Sequence, residues 1–250
     1  MNSGLKRLLI CAALTLPAAI ASAQESEVEL QYSGADINDI ASLQRGARNF
    51  MNYCSGCHSL SYVRYSRMAE DLRIPEKDLA ANLMFTSSKP GDGIVSAMPA
   101  DAAAEWFGKA PPDLSLIARE RGVDYIYSYL KGYYLDDTRP WGVNNMYLPS
   151  AAMPDVLASL QGLQKAVYKN DKDASGNAHM VLAGVEALSP GSLSPQEFDV
   201  FVRDTANFLD YCGEPVKAKR QSLGIFVTLF LLVGFVFALL LKKEYWKDVH

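Results

Sequence analysis

Two stretches of the chain are apolar without a break, and between them apolar positions recur at helical spacing. The first stretch, Leu8 to Ile20, follows Lys6 and Arg7 and ends in Ala21-Ser22-Ala23. A short apolar run between a basic start and small residues is the pattern of a cleavable secretory signal. Residues 1–23 are therefore expected to be removed, the remaining chain beginning near Gln24. The second stretch, Leu223 to Leu241, carries no charged residue and is bracketed by Lys217, Lys219 and Arg220 before it and Lys242, Lys243 and Lys247 after it. About 20 apolar residues rising 1.5 Å each match a hydrocarbon core of about 30 Å. Residues 216–242 are thus expected to form one transmembrane anchor, with 243–250 as a tail. Both flanks are basic, so orientation rests on the signal: tail in the cytoplasm, bulk of the chain in the periplasm, anchored in the inner membrane.

Residues 24–215 read as one soluble domain without internal repeats, long enough for a single core. Ile40, Leu43, Ala47, Phe50, Met51 and Cys54 share a helix face, and Asp36, Asn38 and Asp39 offer N-cap oxygens. This predicts a helix that the first cysteine closes. Residues 61–72 read as a short helix and 89–99, broken by Gly and Pro, as surface loop. Ala110-Pro111-Pro112-Asp113-Leu114-Ser115 is a rigid turn, followed by helical spacing at Leu116, Ile117 and Arg121 and a second helix over Asp124 to Lys131. An aromatic loop with Trp141 and Tyr147 leads to Ala151-Ala152-Met153-Pro154. Ser194-Pro195-Gln196-Glu197 is a capping box with proline at the first helical position. The helix it starts has Phe198, Phe201, Val202, Thr205, Phe208, Leu209 and Cys212 on its apolar face and Gly213 at its end. The fold class predicted is mainly α, with long loops and a pocket walled by helices.

The chemistry concentrates at Cys54-Ser55-Gly56-Cys57-His58. A histidine directly after Cys-x-x-Cys is the attachment motif of c-type haem: the thiols bond the porphyrin vinyl groups and the imidazole reaches the iron. A thioredoxin-type motif would need a preceding strand and a helix start, and the pattern before Cys54 is helical. A structural zinc site needs four ligands, and Cys11, Cys212, His179 and His250 are scattered. Cys11 leaves with the signal, which makes Cys212 a single thiol without a disulfide partner, placed on an apolar helix face as a small hydrophobe.

What a haem does depends on its sixth ligand, because a thioether closes the iron for electron transfer and an open site permits gas or peroxide chemistry. Met153 stands out, held between small residues and a proline. Spacing alone leaves Met146, Met180 and His179 open. Of the 250 residues, 49% are hydrophobic and 21% charged. Without Lys6 and Arg7 the chain has 22 basic against 28 acidic side chains, a net of −6. That excludes a nucleic-acid partner and favours a cationic one, with Glu70, Asp71, Glu76, Asp78, Asp136 and Asp137 as contributors to steering.

The haem motif with Ser59-Leu60-Ser61-Tyr62-Val63, the Ala110 to Ser115 turn, Asp124-Tyr125-Ile126-Tyr127 with Leu130, Gly132 and Tyr133, and Phe208-Leu209 with Glu214-Pro215 before a single span resemble the cytochrome c1 family, the haem subunit of ubiquinol-cytochrome c reductase. The resemblance implies a class I-like cytochrome c haem domain with one haem c bound through Cys54 and Cys57. It implies His58 and Met153 as iron ligands, Arg121 as a propionate partner and Pro112 beside the haem. The implied partners are the Rieske iron-sulfur protein as electron donor, a soluble or membrane-bound cytochrome c as acceptor and cytochrome b as third core subunit, in a homodimer of heterotrimers. No substrate chemistry is implied for the isolated chain. Here Ala152 stands where the family's loop has glycine, Pro154 is single, and Gln161 to Gly191 matches the family poorly. The competing readings are an anchored cytochrome c serving a terminal oxidase, and a haem enzyme or gas sensor with an open sixth site.

Overall fold

The computed structural model describes residues 28–172 and 178–247. Residues 1–27, with the expected signal segment and Cys11, residues 173–177 and residues 248–250, His250 among them, lie outside the described residues. Helix α1 (Ile40–Tyr53) starts where Asp39 accepts a hydrogen bond from the Ser42 amide and ends at Cys54. It is followed by β1 (Leu60–Arg64), α2 (Tyr65–Asp71), α3 (Glu76–Asn82), β2 (Gly93–Ile94) and α4 (Ala100–Phe107). Then come α5 (Ile117–Arg121), α6 (Val123–Lys131), β3 (Tyr133–Leu135), β4 (Val143–Asn145), α7 (Ala158–Gln161), β5 (Gln164–Lys172), β6 (Ala178–Ala187), α8 (Pro195–Gly213) and α9 (Lys217–Tyr245).

The core lies between α1 and α8. Gly46 makes their crossing possible: a Cβ there would stand 2.0 Å from the Asp204 carbonyl oxygen and 2.6 Å from the Phe208 Cβ. One turn on, the rings of Phe50 and Phe208 meet with centroids 5.9 Å apart. At the same seam Asp204, almost fully buried, accepts from Ser42 and pairs with Arg45, so the buried charge is compensated. The capping box at Ser194 and Glu197 forms as the sequence predicts. The helix it starts buries more than the apolar stripe, including Asp204, Ala206, Asn207 and Tyr211. Cys212 is buried in this helix, as a small hydrophobe would be.

The fold is mainly helical, as expected, but three two-stranded antiparallel sheets interrupt it among the described residues. The helix predicted from residue 61 starts only at Tyr65, because Leu60-Ser61-Tyr62-Val63-Arg64, with its aromatic and β-branched residues, pairs with Gly93-Ile94. The 89–99 segment is therefore partly strand, and the pocket is not walled by helices alone. Tyr133–Leu135 and Val143–Asn145 pair across the aromatic loop. Most of the segment from Gln161 to Gly191 is a long hairpin, β5 with β6. Helix α9 is the one helix among the described residues long and apolar enough to cross a membrane, and none of it is buried. Two ion pairs at its start, Lys217 with Asp210 and Arg220 with Glu214, join it to the end of α8.

Candidate haem site

The motif is a direct continuation of α1. The Cys54 and Ser55 amides both donate to the Phe50 carbonyl, and the amides of Cys57 and His58 donate to the Cys54 carbonyl at 3.0 and 2.9 Å. Cys54, Cys57 and His58 thus follow one another around a single extra turn. The Ser96 hydroxyl donates to the Gly56 carbonyl at 2.8 Å, and the Ser96 amide donates to the Ser59 hydroxyl, so the segment after β2 braces the turn from outside. Burial, aided by the Cys57 sulfur, pushes the Cys54 thiol up to about 12.

His58 is buried, and its Nδ1 lies 2.8 Å from the Pro112 carbonyl oxygen. A carbonyl only accepts, so Nδ1 carries the proton and Nε2 keeps its lone pair, the tautomer a metal ligand requires. Burial also lowers the His58 pKa, against the opposing pull of the Pro112 carbonyl and Asp113, which keeps the ring neutral. The turn that supplies this carbonyl is laced to the strand after the motif. The Leu114 amide donates to the Ser59 carbonyl, the Ser61 amide to the Asp113 carboxylate at 2.9 Å and the Tyr62 amide to the Ser115 hydroxyl at 3.2 Å. Pro112 therefore acts through its carbonyl, a role that its identity as a proline does not reveal.

Met153 is half-buried against the core, and the hydroxyl of Tyr133 donates to its carbonyl at 3.2 Å. Arg121 ends α5 with its side chain 52% exposed, near Glu120 and with its guanidinium 5.5 Å from the centre of the Tyr125 ring. From there a row runs along α6: Tyr125 stacks on Tyr129, whose hydroxyl lies 2.7 Å from that of Tyr133. Arg121 and Met153, 32 residues apart, are thus the two ends of one aromatic ladder. Its signature, Arg121, Tyr125, Tyr129 and Tyr133 at steps of four, was available in the sequence. Burial pushes the phenols of Tyr129 and Tyr133 up, so both remain protonated donors.

The competing candidates stand on other segments, and Met146 is half-buried like Met153. Met180 is 60% exposed and His179 is exposed, both on β6 of the projecting hairpin. Met146 follows β4 with its amide donated to the Gly132 carbonyl. Among the steering acids, Asp71 is occupied by Arg67 and Tyr211, and Asp136 accepts from Thr138 and Asn144 within its own loop. Both are partly structural.

The donor set fits a haem: two thiols and a neutral imidazole on one turn, with Nδ1 engaged by Pro112 and Nε2 left to serve as a ligand. A covalent-haem motif closing a buried helix, in a domain joined to a membrane-length helix, defines a membrane-anchored c-type cytochrome. The chain belongs to the Cytochrome C1 family, whose profile matches residues 34–249. It is 50% identical to cytochrome c1 of Allochromatium vinosum over 98% of this chain and 100% of that one. It is 40% identical to a protein of Nitrosomonas europaea named ammonia monooxygenase gamma subunit, over 98% of each chain. With mitochondrial cytochrome c1 of Saccharomyces cerevisiae the identity is 29%, covering 84% of this chain and 68% of that one. Its role is that of the c1 subunit of the cytochrome bc1 complex, an electron carrier with one haem c attached through Cys54 and Cys57.

Proposed function

We propose that this chain takes an electron from the Rieske iron-sulfur protein and passes it to a soluble or membrane-bound cytochrome c. The chain would be held beside cytochrome b in a homodimer of heterotrimers. The observation that carries the site assignment is the 2.8 Å contact between His58 Nδ1 and the Pro112 carbonyl, which presents Nε2 as a fixed, neutral ligand. His58 is the proximal ligand and Met153 the sixth. Arg121 is the propionate partner, its half-exposed guanidinium standing at the end of α5 beside Glu120 and the Tyr125 ring.

A haem bound here supplies a one-electron Fe(III)/Fe(II) couple. The protein's part is to hold geometry through the change of charge. The proximal turn would fix the imidazole plane and the core seam between α1 and α8 would fix the thiols. No proton needs to move at His58, because the Nδ1 proton is committed to Pro112 in both oxidation states.

Residues 1–23 act as the export signal, residues 24–215 as the haem domain in the periplasm and 216–242 as the anchor, with 243–250 in the cytoplasm of a cell whose inner membrane holds the complex. The apolar, unburied α9 supports the anchor. Purification of the solubilised complex tests the assignment of partners: cytochrome b and a Rieske protein should accompany the haem subunit. A subunit that purifies instead with a terminal oxidase, or with an ammonia monooxygenase, would overturn it. Protease added to spheroplasts should digest the haem domain and spare a tag placed after His250; the reverse pattern would invert the topology.

A further inference from the structure

We propose that Tyr133 is a positioning residue for the sixth ligand: its buried hydroxyl clamps the Met153 carbonyl and, with Tyr129 behind it, sets where the thioether stands. The inference rests on the reading of Met153 as that ligand.

Each phenol has one proton to give. The Tyr133 hydroxyl spends its proton on the Met153 carbonyl at 3.2 Å, so the 2.7 Å contact between the two phenols requires Tyr129 to donate to Tyr133. The chain of donors therefore runs Tyr129 to Tyr133 to Met153. Such a series polarises along its length, and the end bond is stronger for it. Phenylalanine would fill the same space without a buried polar atom to compensate. Two hydroxyls placed together in a site where Tyr133 is only 2% exposed are justified by the acceptor they serve.

Met153 has few other restraints. Pro154 follows it and lacks an amide proton, so the loop cannot fasten itself through that position. On either side, the Ala151 amide donates to the Leu148 carbonyl and the Leu157 amide to the Asp155 carboxylate. Among the described residues, the Tyr133 contact is the hydrogen bond that ties Met153 to another element of the fold. The clamp itself stands on firm backbone. A Cβ at the neighbouring Gly132 would come 2.6 Å from the Tyr147 ring, and the Gly132 carbonyl accepts from the Met146 amide. Tyr133 is held by the pairing of β3 with β4, where it lies opposite Asn145.

The test uses the full-length, haem-loaded protein. Tyr133→Phe keeps the ring and removes the donor. It is expected to retain covalent haem and to weaken the long-wavelength ferric band of thioether ligation. The reduction potential should fall, and carbon monoxide affinity of the ferrous form should rise roughly tenfold, the factor equivalent to losing one hydrogen bond of about 1.4 kcal/mol. Tyr129→Phe leaves the clamp but strips its supporting donor, and should shift the same readouts less. If Tyr133→Phe changes thermal stability alone, with band, potential and carbon monoxide affinity as in wild type, the residue is merely structural and the proposal is overturned. Met153→Leu separates the two layers. Wild-type spectrum and ligand binding in that variant sink the sixth-ligand reading and the clamp with it, whereas a large shift there beside an inert Tyr133→Phe sinks the clamp alone. Should Tyr133→Phe fail to accumulate, Tyr129→Phe decides, since unchanged readouts in it refute the donor chain.

Discussion

Four hydrogen bonds lace the Pro-Pro turn to His58 and the strand after it, while a single one ties Met153 to the rest of the fold. The proximal side is redundant: two short segments, each already rigid, share backbone, serine and carboxylate contacts, and the loss of any one leaves the others. The distal side has a proline-stiffened loop and a phenol. The division suits an electron carrier, in which covalent bonds and imidazole secure the cofactor and the weaker thioether contact sets the potential. It also ranks the consequences of substitution, since damage to the anchors should remove the cofactor and damage to the loop should retune it.

The largest effect is expected at the covalent anchors. Cys54→Ala combined with Cys57→Ala should abolish haem stain after denaturing electrophoresis and reduce accumulation of the chain, because a ligand that binds only the folded state stabilises it. Persistent stain on the double variant would refute attachment at this motif. Next comes Met153→Leu, which nearly conserves apolar volume, so packing should change little. Its potential should fall by a few tenths of a volt, within the ~0.8 V range over which axial ligands set haem potentials. Carbon monoxide should then bind while covalent haem remains. Met146→Leu, Met180→Leu and His179→Ala are the controls. A shift in one of these and none in Met153→Leu would move the ligand to that residue.

A third substitution separates the scaffold from the site. Gly46→Ala forces a methyl against the Asp204 carbonyl and Phe208, where backbone must give way. The expected cost is about 3 kcal/mol, seen as a thermal midpoint roughly 10 °C lower. Potential and spectrum should stay as they are. A changed potential in a folded Gly46→Ala protein would mean that the core seam reaches the distal loop, and the contrast between stable scaffold and tunable ligand would lose its force.

The proximal half was legible in the sequence because its signals are local. The haem motif occupies five consecutive residues, the Pro-Pro turn six, and the capping box four, and each has a chemical meaning without its neighbours. The helices after the turn and the closing of α1 at Cys54 follow from apolar spacing in the same way. The strand at Leu60–Arg64 was missed because its partner is two residues, Gly93-Ile94, inside a stretch whose Gly and Pro read as loop. The β5–β6 hairpin was missed because both strands are largely exposed and lack a clean alternation. The role of Tyr133 was illegible for a different reason. Its role depends on Met153, 20 residues away, and only the folded chain brings the two together. Asp204 in the core seam is similar, since a lone acid on an apolar helix shows its purpose only once Arg45 and Ser42 are beside it.

The smallest expected effect tests the redundancy itself. Asp113 accepts from the amides of Ser61 and Ser115 at 2.9 and 2.8 Å. Burial alone would raise its pKa, but the hydrogen bonds from Ser115 and Ser61 outweigh it and hold the carboxyl below the ordinary value. Asp113→Asn keeps one carbonyl oxygen and should cost about 0.5–1 kcal/mol at neutral pH. Potential should rise only slightly, from the loss of one nearby negative charge, because the Pro112 carbonyl remains on His58 and the Leu114 amide on Ser59. The sign with pH follows from the depressed carboxyl. Its contribution is present above the ordinary carboxylate pKa of about 4 and lost as pH falls through the lower, folded value. Urea midpoints of wild type and Asp113→Asn should therefore differ at pH 7 and converge as pH falls through the lowered, folded value. A difference that persists in acid would show that Asp113 works by some means other than its charge. A large fall in potential, or loss of the thioether band, in the variant would show that the proximal lacing is a chain of single links, each needed, rather than a set of substitutes.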